Sequence, residues 1–258
     1  MDVSQLEPAD RDPVKLRNTA LILVGVMLVG ATLILWAYSS FGKRTSESDR
    51  PSMEAKITDD CRLITADGEE RDIQDLKGKV TISLITTIEE GASEEVLSAL
   101  REVYGALPED GEKPHLLAFV LDGSEDSPQE MAQVLSEFEA STEVWRVAAN
   151  EDGKVSVRAF LKNRMRFGTY PEKREGEWAF DPKIVLLDQF LHVRGIPGSN
   201  EGWAFDVVAG MEEKYERTRQ EHPEKSLIPP LMTTERLSRL LVKSINYLYA
   251  NPEEKGQK

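Results

Sequence analysis

Reactive side chains are scarce in this 258-residue chain: one cysteine, Cys61, and three histidines, His115, His192 and His222. A lone cysteine excludes an intramolecular disulfide, a CxxC redox pair and a zinc ribbon. No histidine lies within helical or hairpin spacing of another, so the three do not by themselves spell a zinc or copper site. Cys61 follows Asp59 and Asp60 and precedes Arg62. Arg62 could poise it as a reactive thiolate, whereas at a strand start it would serve as a small apolar residue. Glu89, Glu90, Glu94 and Glu95 offer either oxygen ligands for a hard cation or charges that complement a helix N-terminus. No Gly-rich phosphate loop, Ser-x-x-Lys or His-Glu-x-x-His pattern is present.

These groups need elements to position them. Residues 80–86 are β-branched and apolar and predict a central strand, which a Thr86-Thr87 turn leads into a helix opened by Ser93. That helix has Val96, Leu97, Leu100, Val103, Tyr104 and Leu107 at i, i+3/i+4 spacing, and Pro108 stops it. Upstream, residues 60–68 read as a short strand ending in an Asp-Gly turn. Residues 115–121 are almost continuously apolar, as in a strand covered on both faces. Ser127, Pro128 and Glu130 predict a capping box for a helix that buries Met131, Val134, Leu135 and Phe138. A short strand over 144–147, a helix over 154–163 and an extended stretch over 165–170 follow. Residues 183–188 and 190–195 predict a β-hairpin. A helix over 200–220 has Phe205, Val208, Met211, Glu212 and Tyr215 along one side. A last amphipathic helix over 234–249 has Leu237, Leu240, Leu241, Ile245, Tyr247 and Leu248 as its stripe; it packs on the domain, or docks a partner or a membrane surface.

Strands alternating with helices predict an α/β layer. Ahead of it lie a polar tail (1–18), an uncharged apolar run of 23 residues (19–41) and a charged, serine-containing tether (42–56). At ~1.5 Å per residue the apolar run crosses a hydrocarbon layer of ~30 Å, which makes it a single-pass transmembrane helix. A cleaved signal peptide ending near Ala37-Tyr38-Ser39 is the competing reading, and it fits less well because the run exceeds an ordinary signal core. Lys and Arg flank both sides in similar number, which leaves the orientation open. The globular part divides into a domain over 57–222 and a C-terminal helix and tail over 223–258. A net charge of −14 argues against nucleic acid or anionic lipid as partner and favours a basic one.

Short motifs narrow the α/β class. Asp67-Gly68 followed by Asp75-Leu76-Lys77-Gly78-Lys79 and a hydrophobic strand resembles the opening shared by peroxiredoxins and the Sco/SenC copper-chaperone family. Leu121-Asp122 leading to Asp126-Ser127-Pro128 resembles the Sco loop that enters a helix; Trp145 with the Asn150-Glu-x-Gly turn, and Ile184-Val-Leu-Leu-Asp188, also match in order. The resemblance covers residues 57–195, about half the chain. It implies a thioredoxin-like domain, a central mixed sheet flanked by helices, behind the N-terminal transmembrane helix. It further implies a respiratory (cytochrome oxidase) assembly role on the periplasmic or an equivalent side of a membrane. The family's Cys-x-x-x-Cys and histidine ligands fall, by alignment, on Ile88, Ala92 and Phe180. None of these donates a lone pair, so the resemblance implies a non-catalytic binding or assembly-accessory module with no cofactor. The alternative is a divergent copper-handling protein or thiol-disulfide oxidoreductase that uses Cys61 or non-standard ligands.

Overall fold

A computed structural model describes residues 13–46, 50–88, 94–121, 124, 126–147, 157–175, 177–199, 201–224 and 226–252. The chain forms two compact units, Met1–Glu47 and Ser48–Lys258. In the first, a single helix, α1 (Pro13–Ser46), contains the window Arg17–Ile34, which is long and apolar enough to cross a membrane. Within that window Ile22, Met27 and Ile34 are all about seven-tenths exposed (68%, 69% and 71%).

The second unit is built on an eight-stranded mixed sheet. Its strands are β1 (Ser52–Lys56), β2 (Arg62–Thr65), β3 (Glu70–Asp72), β4 (Thr81–Thr86), β5 (His115–Val120), β6 (Thr142–Arg146), β9 (Ile184–Leu187) and β10 (His192–Gly195), in the order β1-β10-β9-β4-β5-β6-β2-β3. A separate two-stranded hairpin, β7 (Glu172–Arg174) with β8 (Glu177–Ala179), lies between β6 and β9 in sequence. β4, β5 and β6 run parallel, β9 runs antiparallel to β4, and β10 antiparallel to β9. A parallel βαβ unit followed by a hairpin that adds to the first strand is the thioredoxin arrangement, here extended at both edges. The helices are α2 (Glu94–Ala106), α3 (Ser127–Leu135), α4 (Val157–Asn163), α5 (Phe205–Glu221) and α6 (Thr234–Ala250).

The period of two along the central strands explains the two core layers. Ile82, Leu84, Leu116, Ala118, Val120, Ile184 and Leu186 point to one face, where α2, α3, α5 and α6 cover them. Ile85, Leu117, Phe119, Leu121, Val185 and Leu187 point to the other, where Phe160 and Leu161 of α4, with Trp145, Met165 and Phe167, complete the layer. With both faces covered, β4, β5, β9 and β10 are buried along their whole length, as a continuous apolar run requires.

Five expectations need correction. The tether over 42–56 is too long, because α1 continues to Ser46 and residues 52–56 form β1 on the edge beside β10. β1 has no apolar alternation to announce it; backbone pairing and a bulge between Met53 and Ala55 hold it. The boundary at 223 is not a domain boundary, since α6 buries Leu237, Leu241, Ile245 and Leu248 in the same core as α2. The capping box does not form: Asp126 occupies the cap position in helical conformation without a side-chain bond, although Pro128 does sit in the first turn. Residues 165–170 turn rather than extend, with Arg166 and Gly168 at φ of 64° and 94°. Along α5, Met211 is 54% exposed, so that helix buries only its first turns.

Candidate functional site

The strand-to-helix corner is set by β4. Thr86 and Thr87 are buried, the Thr86 carbonyl accepts from Leu121 N at 3.0 Å, and Thr86 Oγ1 approaches Met131 Sδ at 3.9 Å. Ile88 follows, 39% exposed, with an aliphatic side chain at the carboxyl end of the parallel strands. Ala92, Ser93, Glu89 and Glu90 lie outside the described residues. Glu94 is described and pairs with Arg101 at 3.0 Å.

Cys61 sits far from an exposed thiolate environment. It is 7% exposed, makes no disulfide, and packs in the layer that holds Leu63, Ile73 and Leu76. Its flanking charges are engaged elsewhere, Arg62 with Asp72 at 3.3 Å and Asp59 with Arg164 at 2.5 Å. Arg62 therefore serves the β2–β3 hairpin. Phe180 is partly buried against the same layer, and the adjacent Asp181 carboxylate accepts from Thr169 N. Cys61 and Phe180 thus border one layer, and Ile88 stands outside it.

Each histidine has its own surroundings. His222 faces Glu224 at 3.4 Å on the surface. His115, at the start of β5, has Nδ1 3.0 Å from Ser141 Oγ and Nε2 3.4 Å from Glu143 Oε1. Hydroxyl, imidazole and carboxylate in this order suggest an acyl-transfer relay. Yet Glu143 is also held by Trp145 Nε1 at 3.0 Å and Lys79 at 3.5 Å, and the Ser141 backbone carbonyl accepts from Leu116 N as part of the β5–β6 pairing, so the group reads as a clasp between β5 and β6. His115 foremost, then Trp145 and Lys79, hold the Glu143 carboxyl down at about 2 against the opposing effect of its burial. A depressed folded-state value contributes stability that is present above the ordinary ~4.5 and lost as pH falls towards 2. With Glu143 only half-buried, screening leaves about 1–2 kcal/mol of this. Urea unfolding of the wild type and Glu143→Gln should accordingly converge in stability between pH 4.5 and 2; a gap that is constant over that range would remove the carboxylate from the clasp.

The third histidine belongs to a buried network that the sequence pattern did not announce. Asp188 Oδ1 accepts from Phe190 N and His192 N, both at 2.9 Å. Asp188 Oδ2 faces His192 Nδ1 at 2.9 Å and accepts from Arg194 Nε and Nη2 at 2.9 and 2.7 Å. Arg194 also reaches Pro51 O at 3.4 Å, and its carbonyl accepts from Trp203 Nε1 at 2.8 Å. Asp188 and Arg194 are 1% and 2% exposed. With its oxygens saturated, Asp188 is no base; it locks the β9–β10 hairpin to the segment before β1. Asp188, His192 and Arg194 at i, i+4 and i+6 were visible as residues, but burial made them a network.

Beside it, Glu54, Arg166, Lys183, Gly202 and Trp203 line a shallow recess. Burial pushes the Glu54 carboxyl up against the pull of Lys183, and burial likewise pushes Lys183 down. Gly195 is required here, because a Cβ would collide with Glu54 Oε1 and come within 2.6 Å of Glu201 O.

Copper(I), the metal the resemblance implies, takes soft thiolates and neutral imidazole. The donors present do not fit it: the single thiol lies in the core, the histidines are spread over three places, and Ile88 has no lone pair. Among the described residues no group of three or more His, Cys, Asp or Glu is arranged to hold a metal ion.

No family model matches the chain, and no curated protein does. Solved structures do. One is a SCO1/SenC family lipoprotein from Bacillus anthracis, at 16% identity over 63% of this chain and 96% of that one, with a TM-score of 0.46. Another is BsSco, described as a member of the Sco family of cytochrome c oxidase assembly proteins, at 14% identity over 62% and 94%, TM-score 0.45. A third is Arabidopsis thaliana ScoI with copper bound, at 14% over 73% and 98%, TM-score 0.43. The domain is thioredoxin-like by its own strand order, and the solved structures it is similar to include proteins of the Sco/SenC family.

Proposed function

We propose that this is a membrane-anchored, non-catalytic thioredoxin-like binding module, an assembly-accessory protein for a respiratory (cytochrome oxidase) complex, with its domain on the periplasmic or equivalent side. The observation that carries the non-catalytic reading is the placement of the only thiol. Cys61 is buried in a core layer, while the corner that presents redox or metal-binding cysteines in this fold ends in Ile88. Thiol exchange needs an accessible thiolate and a second sulfur, and neither is supplied. On this reading the sequence alignment, which puts the family's ligand positions at Ile88, Ala92 and Phe180, leaves the corner to serve as a surface. The length and apolarity of α1 support the anchor, and the motifs that resemble the Sco/SenC family support the client complex.

The second compact unit has its own two-layered core, so residues 48–258 can be tested alone. Titrated with copper(I) against a competing chelator, this fragment and its Cys61→Ser variant should show the same absence of a tight site. Cys61 should react with a thiol reagent only at the rate of unfolding, at least about a hundredfold slower than in denaturant. Stoichiometric copper binding lost in Cys61→Ser, or immediate labelling of the native fragment, would sink the non-catalytic reading.

A further inference from the structure

The most exposed large apolar side chains among the described residues are not in α1. Ile228 is 88% and Leu231 86% exposed, whereas the highest value in α1 is 71%, at Ile34. Both belong to the segment that joins α5 to α6, where the sequence reads Ser226-Leu-Ile-Pro-Pro-Leu-Met232. Ile228 and Pro229 each precede a proline, which favours the extended polyproline II conformation. With three residues per turn, that conformation puts Ile228 and Leu231 on one side.

The segment is pinned to the domain rather than loose. Arg236 Nη1 donates to the Leu231 carbonyl at 2.7 Å, and Thr233 Oγ1 accepts from Arg236 N at 3.2 Å. Glu212 Oε2 of α5 accepts from Thr234 N at 3.0 Å, and Met232 packs against the core. Ile228, Pro229 and Leu231 are left outward as a fixed apolar tip. Pro229 and Pro230 have no N–H, so this tip has fewer backbone donors to strip of water than an ordinary loop.

We propose that the Ile228–Leu231 tip seats the domain in the interface of the bilayer that α1 crosses. This rests on the reading of α1 as an anchor. Two aliphatic side chains fall far short of the ~800 Å² per partner that a stable protein interface buries. A bilayer needs no such area, because residues 47–51 alone separate α1 from β1 and hold the domain at high effective concentration against the lipid. The contact is apolar, so the net charge of −14 does not oppose it on a zwitterionic surface.

The test uses the full chain in phosphatidylcholine nanodiscs, with a nitroxide at Ser226→Cys in a Cys61→Ala background. Ser226 is exposed and leaves both tip residues native. Collisions with oxygen should rise and those with a water-soluble nickel chelate fall, at a depth of about 5–10 Å as for other interfacial apolar faces. In Ile228→Glu/Leu231→Glu the ratio of lipid-seated to aqueous label should drop at least about tenfold, since two side chains lose their apolar burial. Salt at about 0.5 M should leave the native result unchanged. A label equally open to nickel with and without the double substitution overturns the proposal. Oxygen and nickel collisions that fall together would mean burial against protein, and also overturn it. The fragment 48–258 should melt at the same temperature with and without the double substitution; a drop would place the tip within the domain core and overturn the proposal. Failure of the full chain to enter the discs would refute the anchor itself, whereas an incorporated chain with an aqueous label refutes only the seating of the tip.

Discussion

Asp188→Asn should lower the unfolding free energy of the domain by about 3–5 kcal/mol, read from urea denaturation. The side chain keeps its shape, so the loss is not one of packing. Its carboxylate is what neutralises Arg194, 2% exposed, and Asn would set an NH2 donor against the donors of Arg194 or His192. A buried guanidinium without its counter-charge retains its desolvation cost and loses the compensation. The effect should reach beyond the hairpin, since Arg194 also holds Pro51 at the entry to β1. Pairing Asp188→Leu with Arg194→Met should recover most of the loss, because removing both charges removes the penalty. A loss under about 1 kcal/mol for Asp188→Asn would show that the carboxylate does not carry the network.

The second large effect concerns the C-terminal helix. Leu241→Ala should cost about 2–5 kcal/mol, while Arg239→Ala on the exposed side should stay within about 0.5 kcal/mol. Leu241, Leu237 and Ile245 are completely buried against the helices over the sheet, and Ser238 Oγ donates to Glu102 Oε2 of α2 at 2.8 Å. Truncation at position 241 therefore opens a cavity in the same core that holds Leu100 and Val103. Were α6 a separable docking element, Leu241→Ala would change partner binding and leave unfolding of the domain untouched. Thermal unfolding of the two variants side by side distinguishes these.

Legibility in the sequence followed how local the cause was. The run 115–121 became β5, and the stripe over 234–249 became α6 with nearly the same ends, because each carries its own period and apolar content. β1 is not legible in the sequence, for the converse reason. Ser52–Lys56 buries little, and what makes it a strand is the free edge of β10, some 140 residues away. The β7–β8 hairpin was likewise invisible, since Glu172 to Ala179 is mostly charged and only Trp178 among its residues is large and apolar. For the candidate site the chemical content was legible and the placement was not. One cysteine and three scattered histidines already limited thiol and metal chemistry, but burial of Cys61 and engagement of Arg62 with Asp72 emerged only in three dimensions.

By itself, then, the sequence determined an apolar helix long enough to cross a membrane, an α/β pattern with a thioredoxin-like order, and a chain with too few thiols for redox pairing. Tertiary structure alone decided the edge strand β1, the membership of α6 in the core and the Asp188–Arg194 lock. Apolar periodicity and residue counts are properties of neighbours along the chain, while strand edges and buried charge pairs arise between residues that only folding brings together.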